Sequence, residues 1–141
     1  MNPGQCSDLE VKTVDLSVLL SCSDIVTIHV PLTKDTENLI DSRALAMVKP
    51  GMVLVNTSRG RIVDQGAFID ALRKGRIEGA ALDVFASEPL QAGHLLAGMV
   101  NVVLSPHLGA LTREAGDRLS EAVLRQARDI LEGRTPEGLI R

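Results

Sequence analysis

Four short runs of apolar and β-branched residues recur along the chain, and they restrict its fold more than any other feature. The runs are Ile25 to Val30, Met52 to Asn56, Gly79 to Val84 and Asn101 to Leu104. Each is shorter than a typical helix and lacks the strict alternation of a strand with one wet face. Such runs are typical of strands buried on both faces of a parallel sheet. We therefore predict four parallel strands.

Helical patterns with recognisable ends separate these runs. Asp41 is placed to cap a helix that Lys49-Pro50-Gly51 stops. Asp64 is placed to cap a second helix, which Gly75 closes. The longest helix is predicted to start at Thr112, to run to about Glu132 and to carry its apolar residues on one face. Strand and helix alternate, which predicts an α/β structure with helices on both faces of the sheet.

Composition excludes several classes of protein. A chain of 141 residues can bury a core of its own, and one domain is expected. A net charge of −3 and the lack of Trp and Tyr offer nucleic acid neither an electrostatic footprint nor stacking platforms. The longest apolar stretch, Leu95 to Leu104, is well short of the ~18 residues of a membrane span.

The two cysteines fit neither a disulfide framework nor a zinc cluster, because the three histidines do not lie at ligand spacing from them. No metal is expected, and a reducing cytoplasm is the predicted location. Cys22 lies on a predicted helix with three leucines, where a small buried thiol without a redox role is expected.

Ionisable residues follow the ends of successive predicted strands. They are Arg59, Asp83, Glu88 and His107. Ligands of parallel α/β sheets bind beyond the carboxyl ends of the strands, so the fold would bring these side chains together. An Arg can hold a carboxylate through two hydrogen bonds, a His can transfer a proton near neutral pH, and a Glu beside the His favours its protonated form. The set suits reduction of a keto acid.

Each of these residues also has a structural interpretation. Arg59 could be a solvated loop residue, Asp83 a helix or turn cap, and Glu88-Pro89 a surface turn. Their joint placement on successive strand ends favours the functional interpretation. His94 is better explained as a structural residue. His29 is expected to line the pocket or pack there without acting on the substrate.

Three long stretches carry a resemblance to a known family. They are SDIVTIHVPLTKDTENLI (23–40), MVKPGMVLVNTSRGRIVDQGAFIDALRKGRIEGAALDVFASEP (47–89) and NVVLSPHLGALTREA (101–115). They resemble the D-isomer-specific 2-hydroxyacid dehydrogenases, a family whose members act on phosphoglycerate, glyoxylate or hydroxypyruvate. The resemblance implies an incomplete Rossmann-like, doubly wound parallel sheet. It also implies an oxidoreductase that uses NAD, with NADP as the alternative cofactor, to transfer hydride between a 2-hydroxy acid and its 2-keto acid.

The resemblance also assigns roles to individual residues. Arg59 is similar to the family's substrate-binding catalytic Arg, Glu88 to the Glu that supports the histidine, and His107 to the catalytic acid/base. A Glu at position 88 is unlike the formate-oxidising branch, which has Gln there. Asp83 is expected near the nicotinamide carboxamide. The positions similar to those that contact the dinucleotide are Val30, Thr57, Ser58, Arg59, Asp83, His107, Leu108, Gly109 and Ala110.

The sequence also departs from the family pattern. It contains no GxGxxG, the turn that brings a helix N-terminus close to the pyrophosphate. We therefore expect residues 1–141 to be a partial NAD(P)-binding domain without the first β-α-β unit and without the substrate domain. Such a chain would form a homodimer or depend on a missing segment. Two alternatives stay open: a non-catalytic dinucleotide-sensing binding protein, as in the family's corepressors, and an inactive remnant.

Overall fold

The structure, a computed structural model, describes residues 11–138. It divides into two compact units, the first ending at Pro106 and the second beginning at His107. Cys6 lies outside the described residues. Each unit is described below by itself.

The first unit alternates helices with strands that form one sheet. Its elements are α1 (Leu16–Cys22), β1 (Ile25–Ile28), α2 (Ser42–Ala46), β2 (Met52–Asn56), α3 (Gln65–Arg73), β3 (Ile77–Leu82) and β4 (Val102–Leu104), with short 3₁₀ helices at Gly60–Ile62 and Leu95–Gly98. All neighbouring strands pair in parallel, in the order β1-β2-β3-β4. The predicted parallel α/β sheet is confirmed.

Four strand boundaries differ from the prediction. β1 ends at Ile28, two residues early, where it pairs with Asn56, the last residue of β2. β3 ends at Leu82 instead of Val84, and β4 starts at Val102 instead of Asn101. β3 starts at Ile77, which is fully buried and pairs with Met52, with an irregular register immediately after that pair. The irregularity keeps Ile77 on the same face of the sheet as the core residues of β2.

The prediction that the strands are buried on both faces is wrong for β1 and β4. In β1, Val26 and Ile28 are buried, whereas Ile25 exposes 66% of its surface. In β4, Val103 exposes 70%. Burial alternates because one face of the sheet carries the core of this unit, and β1 and β4 are the two edge strands. In β2 the outward residues are half-buried.

The core of the first unit joins that face to three helices. Leu20 of α1, Leu45 of α2 and Phe68 of α3 are almost fully buried and belong to one cluster with the inward residues of the strands. Burying an aliphatic or aromatic side chain of this size contributes about 1.5–3 kcal/mol relative to leaving it exposed. This packing fixes the strands, and with them the loops at their carboxyl ends.

Two predicted helix caps are confirmed, and Thr112, the predicted start of the long helix, is its N-cap. The Asp41 carboxylate accepts hydrogen bonds from the backbone N–H groups at the start of α2. The Asp64 carboxylate accepts from the Ala67 N–H at 3.1 Å at the start of α3. Thr112 caps the long helix of the second unit by the same geometry. These short polar side chains satisfy N–H groups that the helices leave without partners.

Cys22 differs from its prediction, because the thiol is free and exposed. Leu20 is the buried residue of α1, and a residue two positions further along a helix points to a different side. Cys22 therefore faces solvent at the end of the helix.

The second unit contains one long helix, α4 (Arg113–Leu131), close to the predicted bounds. Its apolar residues follow a helical period, and none of its described residues is buried. Beyond the helix, Arg134 pairs with Asp129 and Glu132, and its hydrogen bond to Asp129 is the main cause that raises the pKa of the guanidinium.

We predict that Asp64→Ala lowers the free energy of unfolding by about 1 kcal/mol, because the first turn of α3 loses its cap. Asp70→Ala in the same helix is the matched control, since Asp70 is exposed and its nearest ionic partner, Lys74, lies at 3.9 Å. The control is expected to cost less than about 0.5 kcal/mol. Urea unfolding measures both, and equal losses would contradict the cap.

Candidate functional site

Asn56, the last residue of β2, sets the path of the loop that follows. Its side chain is buried, exposing 1% of the residue surface. The amide oxygen accepts a hydrogen bond from the Ser58 N–H at 3.0 Å, and the amide nitrogen donates to the Arg59 carbonyl at 3.0 Å. One side chain thus folds the three residues after β2 into a fixed turn.

Ser58 ties this turn to the segment that follows β1. Its hydroxyl donates a hydrogen bond to the Val30 carbonyl oxygen. Val30 and Thr57 are exposed beside this link. The link holds the chain after β1 against the chain after β2, so that two of the positions assigned to the cofactor, Val30 and Ser58, are neighbours.

Arg59 lies on the surface of the same turn. Its backbone is extended, and its guanidinium donates a hydrogen bond to the Ser58 carbonyl at 2.7 Å. The side chain is exposed. A guanidinium has five N–H donors, so one bond to a carbonyl leaves the fork able to hold a carboxylate.

Gly60 brings the Arg59 turn against the loop after β3. A Cβ atom at this position would lie 1.9 Å from the Phe85 carbonyl carbon, 2.1 Å from its oxygen and 2.5 Å from the Ala86 nitrogen. These are backbone atoms, which cannot move aside as a flexible side chain would. Only glycine permits this approach, and it places the loop with Glu88 directly against the turn with Arg59.

Asp83 stands immediately after β3 and is buried, with 6% of its surface exposed. The Ser105 hydroxyl donates to its carboxylate at 2.5 Å, and its own N–H donates to the Asn56 carbonyl at 3.0 Å. Asp83 is a buried acceptor that joins the ends of three strands. This differs from a helix cap, the structural interpretation that the sequence allowed.

Glu88 closes the loop after β3 on itself. Its carboxylate oxygen Oε1 accepts a hydrogen bond from the Phe85 N–H at 2.9 Å, and the residue is exposed. A carboxylate has further lone pairs beyond this bond. Glu88 therefore lies in a turn, as the structural interpretation suggested, and its carboxylate is oriented by a hydrogen bond from its own loop.

His107 and residues 108–110 lie at the start of the second unit. His107 adopts a positive φ of 56°, which is uncommon for a residue with a side chain. The Leu111 N–H donates to the Leu108 carbonyl at 2.9 Å, which makes this segment a tight turn before α4. The role assigned to His107 by the sequence stays a prediction.

The other two histidines have local partners. His29 is exposed, and its Nε2 lies 2.9 Å from the Thr27 hydroxyl. His94 caps the 3₁₀ helix Leu95–Gly98, where its Nδ1 accepts from the Leu96 N–H at 3.2 Å. The structural interpretation of His94 agrees with this contact.

The described part of the chain spans residues 11–138. Within that range, no group of three or more His, Cys, Asp or Glu side chains is arranged to hold a metal ion. Among the same residues, no helix has both the length and the apolar character needed to cross a membrane.

Comparison with known proteins identifies relatives over most of the chain. The profile of a family described as "D-isomer specific 2-hydroxyacid dehydrogenase, NAD binding domain" matches residues 2–109. A glyoxylate reductase of Thermofilum pendens is 48% identical over 130 residues, which are 92% of this chain and 38% of that protein. A D-3-phosphoglycerate dehydrogenase of Mycobacterium bovis is 41% identical over 133 residues, which are 94% of this chain and 25% of that protein.

Solved structures agree with the sequence comparison. The NAD complex of a D-isomer specific 2-hydroxyacid dehydrogenase from Lactobacillus delbrueckii ssp. bulgaricus superposes with a TM-score of 0.83 at 34% identity, covering 91% of this chain and 43% of that one. The fold of the chain is therefore the Rossmann-type α/β fold of these enzymes. The chain spans about two fifths or less of the length of the relatives named here.

We predict that Gly60→Ala destabilises the first unit by about 1–3 kcal/mol, because a methyl group has no room against the Phe85 backbone. Gly66→Ala is the matched control, since its Cβ would meet only the Asp64 carboxylate at 3.5 Å. The control is expected to gain about 0.5–1 kcal/mol from its place in α3. Thermal unfolding measures both, and a Gly60→Ala protein as stable as the parent would refute the close approach.

Proposed function

Because this chain belongs to the D-isomer specific 2-hydroxyacid dehydrogenases and matches their NAD-binding domain, we propose that it serves an NAD(P)-dependent oxidoreductase. The reaction is hydride transfer between a small 2-hydroxy acid and its 2-keto acid. The observation that carries this proposal is the contact of the Arg59 turn with the Glu88 loop through Gly60. It holds a carboxylate-binding cation and an acid on adjacent loops at the carboxyl end of one sheet, where such folds bind ligands.

The residues around these loops fit the nicotinamide end of a dinucleotide. Asp83 presents a buried carboxylate, an acceptor suited to a carboxamide N–H. Thr57 is exposed directly after β2. Val30 is also exposed, and its apolar surface suits contact with a ring. Residues 107–110 complete the proposed cofactor set. When bound, the nicotinamide supplies or accepts the hydride.

The residues of this chain divide the remaining work. We assign to Arg59 the binding of the substrate carboxylate and the polarisation of the neighbouring carbonyl. His107 gives a proton to the carbonyl oxygen during reduction and removes it during oxidation. Glu88 favours the protonated imidazole. A small 2-keto acid such as glyoxylate or hydroxypyruvate is the proposed substrate class.

The proposal extends to the compartment and the assembly of the protein. The free thiol of Cys22 is compatible with a reducing cytoplasm, which is the compartment we propose. A homodimer, or association with a further segment, is the proposed assembly. Sedimentation at several concentrations measures this directly.

We predict saturable enhancement of NADH fluorescence when the purified chain is titrated into the cofactor, with NADPH measured in parallel. The chain has no Trp or Tyr, so protein emission interferes little. Reduced nicotinamide mononucleotide is expected to compete better than ADP, because the fitting residues lie at the nicotinamide end. A sample that is folded by circular dichroism but does not bind NADH would contradict the cofactor proposal.

We also predict that Arg59→Ala lowers kcat/KM for glyoxylate-dependent oxidation of NADH by about 100-fold. That loss corresponds to two charge-assisted hydrogen bonds to the substrate carboxylate. Arg61→Ala is the matched control, since Arg61 is exposed, two residues away, and paired with Glu37. Equal activity of the two variants would remove Arg59 from the substrate site, and a parent chain that binds NADH without turnover would contradict the proposed reaction.

A further inference from the structure

The side chain of Gln65 connects the loop that carries Glu88 to His94. The Ala86 N–H donates to the Gln65 amide oxygen at 3.2 Å, and the Gln65 amide nitrogen lies 3.0 Å from His94 Nε2. His94 Nδ1 in turn accepts from the Leu96 N–H at 3.2 Å. A chain of hydrogen-bonding groups therefore runs from the 3₁₀ helix Leu95–Gly98 to the loop after β3.

The hydrogen atoms that His94, Gln65 and Ala86 contribute to these hydrogen bonds follow from the chemistry of each group. A neutral imidazole has one N–H and one accepting nitrogen. Because His94 Nδ1 accepts from Leu96, its Nε2 carries the hydrogen and points it at Gln65. The Ala86 N–H points at Gln65 from the other side. Two donors thus converge on an amide that has one accepting oxygen and one NH₂ group.

In either orientation of the Gln65 amide, its oxygen faces one of the two donors and its NH₂ group faces the other. With the oxygen toward Ala86, the NH₂ group faces the His94 N–H; with the amide reversed, the NH₂ group faces the Ala86 N–H. The two orientations exchange the positions of the oxygen and the NH₂ group, so each leaves one of the two donors facing another donor. A carboxylate at this position would offer one oxygen to each donor and so accept from both at once.

The Ala86 amide is the link between this chain and the candidate site. Its nitrogen is among the atoms that approach Gly60, and its neighbour Phe85 donates the hydrogen bond that orients Glu88. A displacement of Ala86 would therefore reach the Glu88 carboxylate through two residues of one tight loop. His94 supplies the fixed end, because its ring is anchored at the 3₁₀ helix.

We propose that Gln65 and His94 are positioning residues that hold the Glu88 loop through the Ala86 amide, and that a carboxylate at position 65 holds the loop more firmly than the natural amide. The positioning role in catalysis rests on the function proposed above. The hydrogen-bond chain itself does not, and it is measurable without turnover.

The test compares Gln65→Leu and Gln65→Glu with the parent chain by ¹⁵N NMR. Gln65→Leu removes the acceptor and is expected to speed exchange of the Ala86 amide hydrogen by about tenfold. Gln65→Glu is expected to slow it below the parent rate by a similar factor. Gln126→Leu is the matched control, since the Gln126 amide on α4 also bonds to one backbone group, donating to the Glu137 carbonyl, and it should leave Ala86 unchanged.

The nitrogen shifts of His94 test the proton count. The parent and Gln65→Glu are expected to carry the ring hydrogen on Nε2. A hydrogen on Nδ1, an unchanged Ala86 rate in Gln65→Leu, or faster exchange in Gln65→Glu than in the parent would each overturn the proposal. If Gln65→Leu does not fold, Gln65→Glu decides alone, because the proposal requires slower exchange in that variant.

Steady-state kinetics with glyoxylate and NADH test the consequence for the site. Gln65→Leu is expected to lower kcat about tenfold with less than a twofold change in KM, and Gln65→Glu to restore at least the parent kcat. A full kcat in Gln65→Leu would overturn the positioning role. A parent chain without turnover contradicts the proposed function, whereas the NMR comparison still decides whether the hydrogen-bond chain holds the loop.

Discussion

The candidate site depends on the approach of Gly60 to the backbone of Phe85 and Ala86. No other residue type fits there, since a Cβ would fall within about two ångströms of a carbonyl group. The approach joins the loop after β2 to the loop after β3, so the loops that carry Arg59 and Glu88 are held together by backbone packing. The core on one face of the sheet fixes the positions of the strands. The Gly60 contact then fixes the two loops that follow β2 and β3 relative to each other.

Features that depend on a few consecutive residues could be predicted from the sequence. The caps Asp41 and Asp64 are examples, because each bonds to an N–H two or three residues away. The exposure of Ile25, Val103 and Cys22 could not be predicted in the same way. An apolar residue in a strand or helix indicates that the residue suits a core, whereas its exposure is decided by what packs over it.

The candidate site shows the same division. The placement of Arg59, Asp83 and Glu88 at strand ends follows from the order of strands along the chain, and the Asn56 turn is a local pattern that an Asx residue before Thr-Ser could have indicated. The contacts of Gln65 have no such signal. Its partners lie 21 and 29 residues away, and only the fold of the β3 loop brings them to one side chain.

The two loops of the site are held by amide side chains with different hydrogen-bond matching. In Asn56 the oxygen meets an N–H and the nitrogen meets a carbonyl, so each half of the amide has a complementary partner. In Gln65 both neighbours are donors. Gln65 and His94 are half-buried and Ala86 is exposed, so water reaches the unmatched donors and reduces the cost of the mismatch. The two amides therefore differ in kind: Asn56 satisfies both of its neighbours, whereas Gln65 satisfies one donor and leaves the other to solvent.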